Sequence, residues 1–379
     1  MKHFLSRIHS LDKSLSITRP FHSAVSLHCH THHSKENLGF IPYYADRIPI
    51  VASLFRREMK KYSRKRGRPL DFSKAHWTPP VSPNCVLDLE RKQIETRLDL
   101  KAMVSLTDHD DIEAGRLLRA LDSYRDIPIS VEWTVPFGSG MFHLGIHNLP
   151  ADSASKIMSE LSSYTAHPQE DRLAELFESL NLLPDVLVVL NHPLWDIEQA
   201  GRDLHMALLA AFIARYGKWL HAFEVNGYRP WRENSATMEM AQELGYPVVS
   251  GGDRHGYSPN TMLNLTRANT FAEFVAEVRE DKVSEVLLMP EYREHLHARI
   301  LESVADVLRY YPNYAEGQRY WADRVFFSIN DSSRPLSQHW KNGGPAWVRY
   351  TVKGLCMLGS PRLRPALRLA LARGEGAAL

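Results

Sequence analysis

The sequence predicts an α/β protein whose seven strands close, or nearly close, into a barrel. Three observations lead there. Seven short β-rich runs recur between residues 24 and 253. Amphipathic stretches such as EAGRLLRALDSYR and NSATMEMAQELG separate several of them, the alternation expected of βα units around a largely parallel sheet. Each run ends on polar, ligand-type residues. An α/β barrel gathers all its strand C-termini at one active-site face, whereas an open doubly wound sheet uses a single crevice. Polar ends after all seven runs therefore favour closure.

The runs, in order, carry the chemistry. AVSLHC (24–29) leads into HCH, which places His28 and His30 at i and i+2, one face of a strand, with Cys29 turned away as a small buried residue. AMVSLT (102–107) ends in TDHD, where His109 stands between Asp108 and Asp110, carboxylates able to orient an imidazole. IPISVEW (127–133) holds Glu132 between Val131 and Trp133, and a carboxylate there is costly unless paired or on a metal. MFHLGIH (141–147) offers His143 and His147, and VLVVLNH (186–192) offers His192. HAFEVNG (221–227) leads to Glu224 and Asn226 as supporting groups, with Arg229 and Trp231 beyond them as pocket-lining or packing residues. PVVSGGD (247–253) ends in GGDRH. It supplies Asp253 and His255 after two glycines that permit close backbone approach to a ligand. Arg254, between the two, is either a packing or salt-bridge residue or a phosphate clamp.

Two regions lie outside this scheme. Residues 38–98 form an insertion after the first strand. It contains RREMKKYSRKRGRP (56–69), with eight Lys/Arg, and the Pro-rich HWTPPVSP. A basic segment near the strand C-termini would attract phosphorylated substrates or nucleic acid, although charge runs are commonly just solvated faces. Beyond residue 290 the strand pattern is expected to stop. YREHLHARILESVADVLRYY, VRYTVKGLCML and RPALRLALAR read as helices, and GEGAAL as a frayed tail. The expected organisation is thus a barrel over 1–290 and a helical C-terminal extension over 291–379.

Composition narrows the class. Net charge is +2 with histidine neutral, so no global attraction to nucleic acid follows. Three cysteines argue against a disulfide framework. The segment MKHFLSRIHSLDKSLS lacks a signal-peptide core, and no apolar run approaches a membrane span. A soluble cytoplasmic protein is expected, with no membrane partner. No P-loop, G-x-S-x-G elbow or Ser/His/Asp set is evident.

Taken together, HCHT, TDHD, VEW, HLG, NHP and GGDRH resemble, in order, the motifs of the PHP (polymerase and histidinol phosphatase) superfamily, over roughly residues 22–260. The resemblance implies a distorted (β/α)7 barrel that binds two or three Zn²⁺, Mn²⁺ or Fe²⁺ ions and hydrolyses phosphate esters. Carried over by motif, one metal would take His28, His30, Glu132 and Asp253. A second would take His109, His255 and a ligand from the loop after HCH. A third would share Glu132 and take His143 and His192. The family's loop ligand falls at Lys35 here. Glu36 is the substitute, which needs a one-residue bulge, and His33 is the alternative; if neither binds, two ions remain. The implied activity is a metal-dependent phosphoesterase acting on a small phosphorylated metabolite or nucleotide. Alternatives are a nuclease or nucleotide-end phosphatase using residues 56–69, and a non-catalytic metal-binding module.

Overall fold

The structure, a computed structural model, describes residues 5–11, 15–47, 49–67, 69–329, 332–340, 343–360, 362–363 and 365–366. The strands are β1 (Ser6–Ser10), β2 (Ser23–Cys29), β3 (Glu36–Asn37), β4 (His76–Trp77), β5 (Lys101–Leu106), β6 (Ile129–Phe137), β7 (Gly140–Leu149), β8 (Leu187–Asn191), β9 (Ala222–Asn226), β10 (Val248–Gly251), β11 (Met262–Thr266), β12 (Ser284–Leu288), β13 (Val325–Ile329) and β14 (Ser332–Pro335). The helices are α1 (Phe40–Arg47), α2 (Pro49–Arg66), α3 (Pro83–Leu98), α4 (Glu113–Arg119), α5 (Ala154–Ala166), α6 (Glu170–Asn181), α7 (Arg202–Tyr216), α8 (Trp231–Leu244), α9 (Phe271–Arg279), α10 (Leu296–Leu308) and α11 (Ala346–Leu358). No described helix is long and apolar enough to cross a membrane.

All seven expected runs form strands, yet they do not close into a barrel. The ladders make two five-stranded sheets, β1-β12-β11-β2-β5 and β10-β9-β8-β7-β6, and a four-stranded sheet, β14-β13-β4-β3. The α/β class stands; the (β/α)7 barrel does not. The reason is strand direction. A βα barrel needs parallel strands each followed by a helix. Here β6 and β7 form an antiparallel hairpin, and β11 runs antiparallel to both β2 and β12. The two large sheets are tied by isolated parallel bridges, Cys29 to Arg254 and His109 to Glu132, both beside the polar strand ends.

The C-terminal extension is also not purely helical. The expected helices appear as α10 and α11, but β13 pairs with β4 and β14. RPALRLALAR falls largely, and the GEGAAL tail wholly, outside the described residues. The insertion is likewise folded. Its α1 and α2 pack as a hairpin, and Ser82 caps α3 by accepting from the amide of Cys85.

The main core lies between the second sheet and α5 to α7, where Trp133, Phe137, Phe142, Phe177, Phe212 and Tyr216 interlock. Buried aromatic pairs of this kind add directional contacts to area burial. This rigid layer holds β6 to β8, which carry three of the site residues discussed next.

Candidate metal centre

Nine residues converge where the ends of β2, β5, β8 and β10 meet the β6–β7 hairpin. They are His28, His30, Glu36, His109, Glu132, His143, His192, Asp253 and His255. Local backbone explains much of the convergence. The β2–β5 register shifts between Ser26 and Cys29, and His28 has φ +63°. His192 and Asp253 also take positive φ, at +29° and +50°. Non-glycine residues adopt this region at a cost, and such outliers concentrate at functional sites. The end of β2 is held on both sides: the amides of Gly252 and Asp253 donate to the carbonyls of Leu27 and His28, and that of Thr107 donates to Cys29.

Four groups of potential ligands interlock: His28, His30 and Glu132; His28, His192 and Asp253; His30, Glu36 and His255; and His109, Glu132 and His143. Glu132 is fully buried and central, with Oε2 2.9 Å from His28 Nε2 and 3.3 Å from both His30 and His109 Nε2. Its Oε1 lies 3.2 Å from His192 Nε2 and accepts from Asn191 Nδ2 at 3.0 Å. Glu36 lies 3.1 Å from His255 and 3.3 Å from His109. The rings of His30 and His255 stack with centroids 4.2 Å apart.

A second layer sets the imidazoles. Glu224 Oε2 lies 2.6 Å from Nδ1 of His28, so that ring donates outward and turns the Nε2 lone pair to the centre. The carbonyl of Asp253 does the same for Nδ1 of His255 at 2.9 Å. Asn226 Nδ2 donates to both Glu224 and Asp253. Ser34 Oγ donates to Glu36, accepts from the amide of His109 and lies 3.2 Å from His30 Nδ1.

Despite these short approaches, five buried atoms facing the centre make no hydrogen bond: Nε2 of His28, His30 and His255, Nδ1 of His143, and Oε2 of Glu132. Buried polar atoms are normally satisfied, so five orphans on one His/carboxylate set fit divalent cations. The charge balance agrees. Burial opposes ionisation of Glu36 and Glu132, yet the surrounding imidazoles hold both well below the usual carboxylate range. Burial drives His30 and His143 down to about 4. Burial also opposes charge on His109, but Glu36 and Glu132 carry it up to about 10. His28 likewise rises, through Glu132, Glu224 and Asp253.

The candidate groups overlap. His28, His30 and Glu132 fall together as in the sequence expectation, while His192 also joins His28 and Asp253, and His30 faces Glu36 and His255. Glu36 enters the cluster on the short strand β3, whereas His33 belongs to none of its groups and packs against His32. Asp108 and Asp110 do not orient His109. Asp108 accepts from the amide and hydroxyl of Thr31, and Asp110 from the amide of Thr134. His147 lies outside the groups, with Nδ1 2.8 Å from Ser105 Oγ. Gly251 and Gly252 make room for side chains. A Cβ would sit 2.0 Å from Glu224 Oε2 at the first and 1.6 Å from Asn260 Oδ1 at the second.

Arg254 is not a phosphate clamp. It is 1% exposed, lies 3.2 Å from the fully buried Glu90, and donates to the carbonyls of Ser258 and Gly256. Arg229 is only partly exposed. Its guanidinium grips Glu233 and lies over Trp195, whose ring packs beside His192. Trp231 packs near Tyr292. Sequence reasoning missed Glu90, Asn260, Ser34 and Asn191. Glu90 left one signal: it follows Val86 and Leu87 at helical spacing, an acid on the buried face of α3.

Neither family models nor curated proteins match this chain. Solved structures of similar shape include an amidohydrolase from Chromobacterium violaceum with bound sulfate and no metal (14% identity, TM-score 0.30, covering 47% of this chain and 83% of that one). A protein provisionally named a metal-dependent phosphoesterase, from Bifidobacterium adolescentis, has 13% identity and TM-score 0.32, covering 53% and 91%. PsfC from Pseudomonas syringae PB-5123 has 12% identity and TM-score 0.41, covering 71% and 93%. Likenesses this distant carry no argument about the chemistry of this chain.

Proposed function

We propose that this protein is a metal-dependent phosphoesterase that hydrolyses a phosphate ester of a small metabolite or nucleotide. The observation that carries the reading is the set of five inward-facing, unpartnered polar atoms on buried histidines and a carboxylate. The ordered resemblance to PHP motifs supports the same assignment. His28, His192 and Asp253 would hold one ion, His30, Glu36 and His255 another, and His109, Glu132 and His143 a third where three bind. Zn²⁺, Mn²⁺ and Fe²⁺ all suit such ligands.

When bound, such ions supply a water of lowered pKa and positive charge opposite the phosphate oxygens. The protein's part is preorganisation. Three carboxylates among six imidazoles leave two or more divalent ions incompletely neutralised, which favours an anionic substrate. Glu224 and the Asp253 carbonyl fix two ring orientations before any ligand arrives. Trp195 and Arg229 stand beside His192 as the wall against which the non-reacting part of a substrate would rest.

Elemental analysis of protein purified without chelator, followed by a phosphoester panel with Mn²⁺ and Zn²⁺, tests this reading. His28→Ala and Asp253→Ala should each lose metal, and at least a hundredfold in kcat, with circular dichroism unchanged. Bound metal without hydrolysis of any phosphoester would overturn the enzyme and leave a binding module. Wild-type activity in either variant would overturn the site.

A further inference from the structure

We infer that the exposed face of α2 is a binding surface for single-stranded nucleic acid. From residue 56 to 65 its solvent-facing positions are Arg56, Arg57, Lys60, Lys61, Arg64 and Lys65, with no other residue type among them. The inward positions, including Val51, Ala52, Leu54 and Phe55, are buried or half-buried. Arg56 is paired with Asp46 and Lys61 with Glu58. Among the described residues Arg57, Lys60, Arg64 and Lys65 have no acidic partner, so there four cations lie free along one stripe. A groove of about 880 Å³ runs beside them, lined by Asp46, Arg56, Arg57, Lys60, Lys61 and Arg64.

The stripe spans about 14 Å at ~1.5 Å per residue. Successive phosphates of a strand laid along it would face these cations. Phe40, Tyr43 and Tyr44 are exposed on α1, which packs against α2. Exposed rings beside a cationic track suit unpaired bases, which stack on aromatic faces whatever their identity. A membrane surface is the weaker occupant. Among the described residues neither helix exposes a large aliphatic side chain, so the apolar face that would enter a bilayer is missing. The hairpin also begins three residues after Asn37, at the end of the strand that carries Glu36. The hairpin is thus tethered to the metal centre through β3, and a bound nucleic-acid strand would lie on the unit that β3 leads into. That this strand is also the substrate rests on the phosphoesterase reading; the binding itself does not.

Fluorescence anisotropy of the as-purified full chain with a labelled phosphorothioate single strand of mixed sequence separates the two, because that probe resists hydrolysis. The wild type should bind at 50 mM salt, with log affinity falling linearly in log salt. The triple variant Arg57→Gln, Lys60→Gln, Arg64→Gln should lose at least tenfold in affinity. It should also reduce the salt slope by about 2, near ~0.7 per phosphate contact removed, with metal content unchanged. Neutralising Arg125, Lys156 and Lys218, exposed on other elements, should leave affinity within twofold. No binding at low salt would overturn the inference. So would equal losses in the two triple variants, or binding to anionic lipid vesicles but not to the strand.

Discussion

Glu224 shows how one residue outside the ligand groups can govern the centre. It offers one oxygen to Nδ1 of His28 and the other to Nδ2 of Asn226, both donors. A glutamine there can satisfy only one, because its amide nitrogen must face a donor on the other side. Glu224→Gln should therefore weaken metal affinity about 10- to 100-fold without unfolding the protein, read by competition against a calibrated chelator. Unchanged affinity would show that His28 is oriented by packing alone. Gly251→Ala should give the same phenotype by a different route, since its Cβ would displace the Glu224 carboxylate. At this scale the ligand-type residues were legible in the sequence, because histidine and acid at apolar strand ends are conspicuous. The backbone that brings them together was not. Simple alternation cannot describe β2 once His28 takes positive φ beside a register shift, and the choice for Arg254 between a salt bridge and a phosphate clamp stays open until Glu90 of α3 is seen beside it.

At the scale of elements, the small sheet β14-β13-β4-β3 joins parts of the chain that the sequence kept separate. Glu36 pairs with Trp77 across β3 and β4, and Val325 of β13 pairs with Trp77 on the other side. A ligand-type residue just before the insertion is thus seated by a strand nearly 300 residues away. Two-residue strands leave no periodic trace, so neither β3 nor β4 could be read from pattern. Phe327 anchors this layer against Leu38, Ala75, Ala322 and Leu336. Phe327→Ala should remove about 3–5 kcal/mol of packing from it and promote its local opening. The expected outcome is a new fast phase in chelator-driven metal release, amounting to one ion, with the remaining metal released at the wild-type rate. Uniform acceleration of all phases would show that the layer does not serve the Glu36 corner in particular.

Across the whole molecule, the sequence pattern identified the α/β class and all seven runs but not their closure, because strand direction is not written in a strand's own residues. The HLG run reads identically whether it follows a helix or, as here, a tight hairpin. What joins the sheets to their helices is in part polar, and His221 is an instance. It is buried at the entry to β9, accepting from the amide of Val188 through Nδ1, with Nε2 3.4 Å from Asn181. Burial first, then Arg279 and Lys282, push its pKa down to about 3. The folded value is thus below the unfolded one of about 6.5. As pH falls below 6.5 the unfolded chain takes a proton that the native state refuses, so stability drops by up to ~1.4 kcal/mol per pH unit until about pH 3. His221→Asn keeps an acceptor for Val188 without titrating. Between pH 6.5 and 4 the wild type should lose about 3 kcal/mol of unfolding free energy relative to this variant, measured by urea melts of the two proteins at matched metal content. Parallel pH profiles would mean that His221 protonates inside the fold and that the joint between β8, β9 and α9 yields to admit the charge.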